Sequence, residues 1–429
     1  MDVLDRAVAE ASENFRRKRP KTEALHRRAA AVMPGGNTRT VLHTAPFPIR
    51  AARAAAATIT DIDGHDYLDL LGEYSAGIFG HSHPRIGSAI ADALKTGLNM
   101  GAQHVREVEF AEAVTARFHL DLVRFTNSGT EANMMALAAA SCHTGRKKIM
   151  PMEGGYHGGT LYFSHGGSPV NAPFDCVLGR FNDIAATRAL IADCASGLAA
   201  VIVEPMLGGG GCLPAEPAFL AMLREETARR GIVLIFDEVM TSRLAPGGLS
   251  AHYGIEPDLK TLGKYIGGGM SFGAFGGKRA IMQQFDPSRP DALPHAGTFN
   301  NNTLTMTAGH AAMTEIFTPA ACIELNARGG RLREQLNEIF MRYQAPFQAT
   351  GMGSMMTLHP LAGEIIKPEE AEKADRRIKQ LLFLDLLDQG IYIAERGFMA
   401  LSLMVSDDDC NRLAAAVETF IKNRRGLFG

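Results

Sequence analysis

The chain has 429 residues, of which 46% are hydrophobic and 21% are charged, and its formal net charge is −2 at pH 7. This composition is typical of a folded globular protein and excludes a disordered chain. The nearly balanced charge excludes a global basic field that would collect nucleic acid or an anionic membrane, so small-molecule chemistry is expected.

The length exceeds what one hydrophobic core usually organises, which predicts a large domain and a smaller one. The six cysteines are scattered, without a CxxC pair or a histidine cluster beside them, so we expect neither disulfides nor a metal site. The N-terminal segment lacks the apolar run of a signal peptide, and the longest apolar stretches, such as Leu198 to Val203, are far too short to cross a bilayer. A cytoplasmic protein without membrane contact is therefore expected.

The first predicted elements are polar helices over residues 5–32, interrupted near Pro20. Residues 57–69 carry β-rich halves around an Asp-Gly pair, which predicts a hairpin at the entrance to the main domain. Helices and short apolar strands then alternate, with helices at 85–96 and 107–117 and strands at 122–125, 199–203 and 232–236. This alternation predicts an α/β fold with a mainly parallel sheet covered by helices on both faces.

Charged helices at 324–342 and 369–388 replace the glycine-rich loops after residue 315, which predicts a smaller α+β domain there. The predicted domains are therefore an N-terminal segment at 1–60 that belongs to the small domain, a large domain at 61–315, and a C-terminal small domain at 316–429. The polar residues that end the central strands should meet at one edge of the large domain's sheet, where parallel sheets bind ligands.

Two glycine-containing segments supply candidate ligand contacts. Ser128, Gly129 and Thr130 follow a strand and open a helix, so their hydroxyls and free amides form a ready phosphate cradle. The same three residues would equally serve as an ordinary helix cap. Tyr156 and His157 lie between glycines, which leaves an aromatic ring exposed for stacking on a flat ligand, or else forms a packed turn.

Two charged residues complete the pattern. Asp237 ends an apolar strand, where burial makes an unpaired carboxylate costly, so it needs a cationic partner unless it simply caps a helix. Lys264 lies in the apolar, glycine-rich segment 261–270, where desolvation lowers the pKa of a lysine and makes its amine available as a nucleophile and proton carrier. Each of these four signals is weak alone, and the prediction of a ligand site depends on their combination.

These segments, in this order and over nearly the whole chain, resemble the class III aminotransferases, which are fold-type I enzymes dependent on pyridoxal 5'-phosphate (PLP). The motifs that carry the resemblance are Asn127 to Ala132, Tyr156 to Gly158, Asp237 to Val239, and Gly263-Lys264. The resemblance implies a large PLP-binding domain with a mainly parallel central sheet, and a smaller α+β domain built from the N- and C-terminal segments.

The resemblance also implies a role for each motif residue. Lys264 would carry PLP as a Schiff base and move the proton, and Asp237 would keep the pyridine nitrogen protonated. The other implied cofactor contacts are phosphate binding by Ser128, Gly129 and Thr130, ring stacking by Tyr156 with Val239 on the opposite face, Glu204 near the phenolic side, and Thr298 at the phosphate of the neighbouring subunit's cofactor. A homodimer with shared active sites is implied, with contacts from residues 1–60.

Within class III the sequence is most similar to the β-amino-acid (β-phenylalanine type) aminotransferases. The shared segments are Arg39, Glu73-Tyr74, Thr241 to Pro246, Gly297 to Asn302 and Arg396 to Phe398. The similarity implies ping-pong transfer of the amino group of a β-amino acid, aromatic or aliphatic, such as β-phenylalanine or 3-aminobutyrate, to a keto acid, either 2-oxoglutarate or pyruvate.

The same similarity implies how the substrate carboxylates are bound. Arg39 would hold the carboxylate of the β-amino acid or the distal carboxylate of 2-oxoglutarate, and Arg396 would bind the α-carboxylate and swing away for apolar side chains. Tyr74 would line the pocket. Glu395 departs from the family pattern, because an acidic neighbour could tether Arg396 and alter its movement.

Two alternatives remain open. The N-terminal glycine-arginine segment and the region from Thr261 to Gly277 also resemble glutamate-1-semialdehyde 2,1-aminomutase, which isomerises one substrate without a keto acid. The run Asn300 to Asn302 and the Arg396 motif favour the aminotransferase. An alternative of another class is a non-catalytic PLP-binding regulatory protein, against which the intact Lys264 and Asp237 argue.

Overall fold

The computed structural model describes residues 2–428, with the side chain of residue 165 excepted. The chain forms two compact units: a terminal unit, made of the residues up to His83, Ala327–Glu364 and the residues from Ala371 onward, and a central unit, made of Pro84–Asn326 and Ile365–Glu370. The domain limits predicted after residues 60 and 315 stay a prediction, because compactness alone does not define a domain that folds by itself.

Helices and strands are numbered in chain order. The α-helices of the described residues are α1 (Val3–Lys18), α2 (Pro20–Ala30), α3 (Pro84–Leu94), α4 (Val105–Phe118), α5 (Gly129–Thr144), α6 (Ile184–Cys194), α7 (Pro217–Arg230), α8 (Gly248–Tyr253), α9 (Arg279–Met282), α10 (Thr303–Ala311), α11 (Pro319–Arg342), α12 (Pro368–Ala371), α13 (Arg376–Asp388) and α14 (Asp407–Arg424). The strands are β1 (Ala51–Ala55), β2 (Thr58–Asp61), β3 (Asp66–Asp69), β4 (Leu122–Thr126), β5 (Lys148–Pro151), β6 (Leu198–Val203), β7 (Met206–Leu207), β8 (Leu213–Pro214), β9 (Val233–Asp237), β10 (Leu259–Gly263), β11 (Gly273–Gly277), β12 (Gln348–Met352), β13 (Met355–His359), β14 (Ile391–Tyr392) and β15 (Phe398–Ala400).

A six-stranded sheet in the order β4-β11-β10-β9-β6-β5 forms the core of the central unit. Strands β5, β6, β9 and β10 pair in parallel, and β11 runs antiparallel to both β10 and β4. Every residue of β6, β9, β10 and β11 is buried, which explains why these strands are apolar runs without alternation. The mainly parallel sheet predicted from the sequence is confirmed.

Helix α5 packs on this sheet through small side chains. Ala132, Ala136 and Ala140 join one buried cluster with Ile202 of β6 and Ile235 of β9. Alanines allow the helix backbone to approach the sheet closely, as the dense packing of protein interiors requires. Helix α5 begins directly after β4, which runs in the same direction as β10. Its first turn therefore lies at the same edge of the sheet as the carboxyl ends of the parallel strands, where Glu204, Asp237 and Lys264 are located.

The terminal unit contains two further sheets. The first has the order β1-β2-β3-β14, and the second is the antiparallel sheet β12-β13-β15. The hairpin predicted over residues 57–69 is formed by β2 and β3, which pair antiparallel, but it belongs to the terminal unit and not to the entrance of the main domain. The predicted helical break near Pro20 is confirmed, since α1 ends at Lys18 and α2 begins at Pro20.

None of the helices within residues 2–428 is both long and apolar enough to cross a membrane. In the same part of the chain, no group of three or more His, Cys, Asp or Glu side chains is arranged to hold a metal ion.

Candidate active site

The N-terminus of α5 forms the first part of the candidate site. Ser128 is the N-cap of this helix, and its side chain accepts a hydrogen bond from the Glu131 amide at 3.2 Å. Thr130 Oγ1 accepts from the Gly159 amide at 3.3 Å, which ties the glycine loop after β5 to the helix. A helix N-terminus offers unpaired amides and a positive dipole end, so the predicted phosphate cradle has the required local structure.

Glycines allow close packing around this cradle. A Cβ added to Gly129 would lie 2.8 Å from Val239 Cγ1, and one added to Gly158 would lie 2.2 Å from Thr130 Oγ1. A Cβ at Gly263, the residue before Lys264, would lie 3.1 Å from the same Val239 methyl group. The structure therefore brings the helix start, Val239 and the end of β10 into direct contact.

Tyr156 and Glu204 lie together at the end of β5 and β6. The Tyr156 side chain is exposed at 43%, and its amide donates to Glu204 Oε1 at 2.9 Å. Glu204 is only 2% exposed, and its Oε2 accepts from the Gly208 amide at 3.1 Å. The arrangement presents an aromatic ring to solvent beside a buried carboxyl group, as stacking on a flat ligand requires.

Burial gives Glu204 an unusual protonation behaviour. Its removal from water raises the pKa of the Glu204 carboxyl to about 7, and the negative charge of Asp237 adds to the rise. The folded protein therefore holds this proton to higher pH than the unfolded chain, in which the pKa is 4.5. Between these values the folded state binds more protons, so the free energy of unfolding must fall as the pH rises through the window.

Replacement of Glu204 by Gln is expected to remove this pH dependence. Between pH 4.5 and pH 7, the free energy of unfolding of the wild type should fall relative to that of the variant by about 1.4 kcal/mol per pH unit. Urea unfolding of both apoproteins at several pH values measures the difference. Glu334→Gln, at an exposed position, is the matched control and should follow the wild type. A stability difference between E204Q and the wild type that stays constant with pH would contradict the expectation.

Asp237 is the best-satisfied side chain of the site. It is 3% exposed, its Oδ1 accepts from the Val239 amide at 3.0 Å, and its Oδ2 lies 2.7 Å from His157 Nδ1. A further contact, in which Asn133 Nδ2 donates to Asp237 Oδ2 at 2.8 Å, was not predicted from the sequence. A polar residue on the apolar face of α5 was the signal that could have indicated Asn133.

His157 contacts Asp237 through its Nδ1 atom, which lies 2.7 Å from Asp237 Oδ2. Its Nε2 atom is buried and has no hydrogen-bond partner among the described residues. Asp237 is thus a buried carboxyl group held by the Asn133 side chain, the Val239 amide and the His157 ring, and a cationic ring nitrogen fits as a further partner.

Lys264 follows β10 with a left-handed backbone, at a φ of 54°. This conformation costs a non-glycine residue roughly 1–2 kcal/mol, and such strain concentrates at functional sites. Gly268 ends the turn that Lys264 begins, and a Cβ there would lie 2.5 Å from the Ala308 carbonyl carbon, so the turn is held by tight packing. With the helix N-terminus, the exposed Tyr156 ring and the buried Asp237, this lysine completes a set of groups that fits PLP.

Thr298 lies apart from these residues. It is exposed, between Gly297 and Phe299, and lines a surface cavity of about 470 Å³ together with residues 99–104. Its loop is joined to the cradle because Asn127 Nδ2 donates to Asn300 Oδ1 at 3.0 Å. The structure therefore places Thr298 on the surface of the central unit.

The terminal unit holds a second group of predicted residues, Arg39, Tyr74 and Arg396. The guanidinium carbons of Arg39 and Arg396 lie 6.0 Å and 5.4 Å from the centre of the Tyr74 ring. The Tyr74 ring stacks on Phe398 at 5.6 Å, and Arg396 also lies 5.3 Å from the Phe398 ring. The structure thus brings the three predicted substrate residues together around an aromatic pair.

Acidic neighbours differ between the two arginines. Arg39 forms an ion pair with Glu73, and both side chains are about half exposed. The Glu395 carboxyl accepts a hydrogen bond from the Ala45 amide, and burial raises the pKa of this carboxyl. The Glu395 carboxyl therefore has a backbone partner, the Ala45 amide. The suggested tether between Glu395 and Arg396 stays a prediction.

A mainly parallel sheet with a lysine, a buried aspartate and a helix N-terminus at the carboxyl ends of its strands defines a fold-type I PLP enzyme. The family model described as "Aminotransferase class-III" matches residues 41–421. The chain belongs to the class III aminotransferase family, and it is a PLP-dependent transaminase.

Relatives support the same assignment. The chain is 47% identical over 426 residues to the β-phenylalanine transaminase of Variovorax paradoxus, a match that covers 99% of this chain and 98% of that protein. A crystal structure of a β-phenylalanine aminotransferase from Variovorax paradoxus superimposes with a TM-score of 0.98 at 46% identity, covering 99% of both chains. A glutamate-1-semialdehyde 2,1-aminomutase from Methanothermobacter thermautotrophicus is 36% identical over 392 residues, which cover 88% of this chain and 93% of the relative.

Proposed function

We propose that this transaminase transfers the amino group of a β-amino acid, aromatic or aliphatic, such as β-phenylalanine or 3-aminobutyrate, to 2-oxoglutarate or pyruvate in a ping-pong mechanism. The observation that carries the proposal is the arrangement of Arg39 and Arg396 around the Tyr74 ring. The full-length similarity to a β-phenylalanine transaminase supports the same substrate class.

Two arginines beside an aromatic pair suit two unlike substrates. A guanidinium binds a carboxylate through two parallel hydrogen bonds, so a dicarboxylate such as 2-oxoglutarate can use both arginines. A β-amino acid with an apolar side chain needs one arginine and an apolar wall. The Tyr74 ring, which stacks on the buried Phe398 ring, supplies that wall, and Arg396 lies against both rings.

The roles proposed in the central unit are those that the resemblance to class III aminotransferases implies, and the local geometry supports them. Lys264 would hold PLP through its amine and would move the proton at the reacting carbon of the substrate, and Asp237 would hold the proton on the ring nitrogen. The remaining proposed contacts are Ser128, Gly129 and Thr130 at the phosphate, Tyr156 and Val239 on the two ring faces, and Glu204 at the phenolic side. PLP, when bound, accepts the electron pair that proton removal leaves beside its nitrogen.

A homodimer is also part of the proposal. Met100 and Phe299 are large, exposed apolar side chains that line the same cavity as Thr298 on the central unit. Adjacent exposed apolar side chains of this kind are typical of an association surface. We propose that a second copy covers it and that Thr298 reaches the phosphate in the partner's site.

An assay for the amino-group product tests the proposed reaction. Purified enzyme with PLP is mixed with 3-amino-3-phenylpropanoate or 3-aminobutyrate and either 2-oxoglutarate or pyruvate, and glutamate or alanine is quantified. Formation of either product with a β-amino acid is expected. Conversion of glutamate-1-semialdehyde to 5-aminolevulinate without a keto acid, and no product from the β-amino acids, would instead support the aminomutase, which the 36% identical relative represents.

Arginine variants test how the substrates are held. Arg39→Met is expected to raise KM for both β-phenylalanine and 2-oxoglutarate by about 10- to 100-fold, because a hydrogen bond to a charged group contributes about 1.5–3 kcal/mol. Arg396→Met should raise KM for 2-oxoglutarate by a similar factor and leave that for β-phenylalanine nearly unchanged. Arg53→Met, on the exposed strand β1, is the matched control. An equal rise of KM for both substrates in R396M would contradict the proposed roles of Arg39 and Arg396.

A further inference from the structure

A buried row of hydrogen bonds links strand β10 to the helix that carries the phosphate cradle. Thr261 of β10 is the register partner of Asp237 on β9. The Thr261 hydroxyl donates to Asn133 Oδ1 at 2.6 Å, and Asn133 Nδ2 donates to Asp237 Oδ2 at 2.8 Å and to the His157 carbonyl oxygen at 2.9 Å. Thr261, Asn133 and Asp237 are 0%, 1% and 3% exposed, so water does not compete for these bonds.

We propose that Thr261 and Asn133 are positioning residues of the cofactor site. Thr261 fixes the orientation of the Asn133 side-chain amide. Asn133 in turn stabilises the charged form of the Asp237 carboxylate, which is the partner of the ring nitrogen. The inference rests on the role of Asp237 in the proposed function. Neither residue touches the reacting atoms in this assignment, and both act through Asp237.

The direction of the Asn133 amide follows from its neighbours. An asparagine side chain presents a donor on one side and an acceptor on the other. In the reversed orientation its oxygen would face both the Asp237 carboxylate and the His157 carbonyl, which are acceptors at hydrogen-bond distance. The observed orientation leaves Oδ1 pointing to Thr261, whose hydroxyl satisfies it. Without that hydroxyl, Oδ1 would become a buried acceptor lacking a partner, and the amide would lose its fixed position.

The charge on Asp237 depends on this fixed amide. Asp237 accepts from the neutral Asn133 side chain and the neutral Val239 amide, and its Oδ2 atom lies 2.7 Å from His157 Nδ1. Hydrogen bonds from neutral donors favour the charged form of a carboxylate without cancelling its charge, so that charge remains available to a protonated ring nitrogen. Loss of the Asn133 bond therefore weakens the hold on the ring proton.

The hydrogen bond from Asn133 to Asp237 also fixes the distance between the phosphate cradle and Asp237. Asn133 belongs to the second turn of α5, and the phosphate cradle at Ser128 to Thr130 belongs to the start of that helix. The bond from Asn133 to Asp237 ties this helix to β9. It therefore sets the span between the groups proposed for the phosphate and for the ring nitrogen, and the affinity for PLP should depend on it.

The variant Thr261→Val tests the inference, because it removes the hydroxyl and keeps the side-chain shape. The apoenzyme is reconstituted with PLP carrying ¹⁵N in the ring, and the ring-nitrogen chemical shift is followed against pH. In T261V the pH at which the ring nitrogen loses its proton should fall by about one unit, and the Kd for PLP should rise about tenfold. Thr261→Ser, which restores the hydroxyl, should return both quantities to the wild-type values.

Controls separate positioning from general stability. Thr227→Val removes a hydroxyl that is equally buried, at 0% exposure, but that bonds to Leu223 within α7, and it should leave both quantities unchanged. Thr261→Ala, which introduces no new bulk, should repeat the T261V result. A folded T261V or T261A with a wild-type ¹⁵N titration and Kd would overturn the inference. A wild-type enzyme whose ring nitrogen is unprotonated at neutral pH would instead refute the role proposed for Asp237.

Discussion

Replacement of Lys264 by Ala is expected to lower kcat by roughly 10⁴-fold or more, the largest effect of any single substitution. The amine at this position is proposed both to bind the cofactor and to move the substrate proton, and a general acid–base group alone contributes about 10²–10⁴-fold. The left-handed backbone at Lys264 and the tight packing of Gly267 and Gly268 fix the turn that carries this side chain.

Lys260→Met is the matched control for this prediction. Lys260 lies four residues earlier, on strand β10, is 5% exposed, and donates to the Phe118 carbonyl at 2.7 Å. Its replacement should lower stability and leave kcat of the folded enzyme nearly intact. Borohydride reduction of the wild type with PLP, followed by peptide mass spectrometry, should locate the adduct on Lys264. An adduct elsewhere, or a K264A enzyme that retains most of its activity, would refute the assignment.

The sequence predicted the central sheet and the neighbourhood of its strand ends for a simple physical reason. Parallel strands that are buried on both faces are continuous apolar runs, and the polar residues that follow them must meet at one edge. Glu204 and Asp237 directly follow strands that were predicted from the sequence, whereas strand β10, which precedes Lys264, was not predicted. The order of Glu204 and Asp237 along the chain therefore indicated their proximity.

Strand β11 could not be predicted in the same way. Three of its five residues are glycines, which disfavour strands by propensity. The packing explains them, because a Cβ at Gly273 would lie 2.1 Å from the Ser128 carbonyl oxygen and one at Gly277 would lie 2.2 Å from the Asp258 carbonyl oxygen. The requirement for close approach arises only once the sheet has formed.

The hydrogen bonds around Asp237 could not be predicted from the sequence either. Asn133 is 104 residues from Asp237 and 128 residues from Thr261, and no local periodicity connects such positions. The composition of the two units was equally hard to predict, since the terminal unit combines residues from both ends of the chain. Long-range pairings of this kind depend on the completed fold.

Asp237→Asn is expected to give the second largest effect, a fall in kcat of about 10²- to 10³-fold. The substitution keeps the shape but removes the only negative charge proposed to face the ring nitrogen. Removing one partner of a buried charge pair costs roughly 3–5 kcal/mol, and a barrier increase of 3–4 kcal/mol corresponds to this loss of rate. The ¹⁵N shift of ring-labelled PLP in D237N should be that of an unprotonated nitrogen at neutral pH.

Glu238→Gln distinguishes this effect from the loss of any buried charge. Glu238 is the next residue, is fully buried, and accepts from the Leu249 and Ser250 amides at 2.7 and 2.9 Å at the start of α8. Its neutral replacement should lower the thermal stability while the ring nitrogen stays protonated and kcat remains close to the wild-type value. If D237N and E238Q reduced kcat equally, the charge of Asp237 would have no special role. A D237N enzyme that kept a protonated ring nitrogen would show that another group supplies the counter-charge.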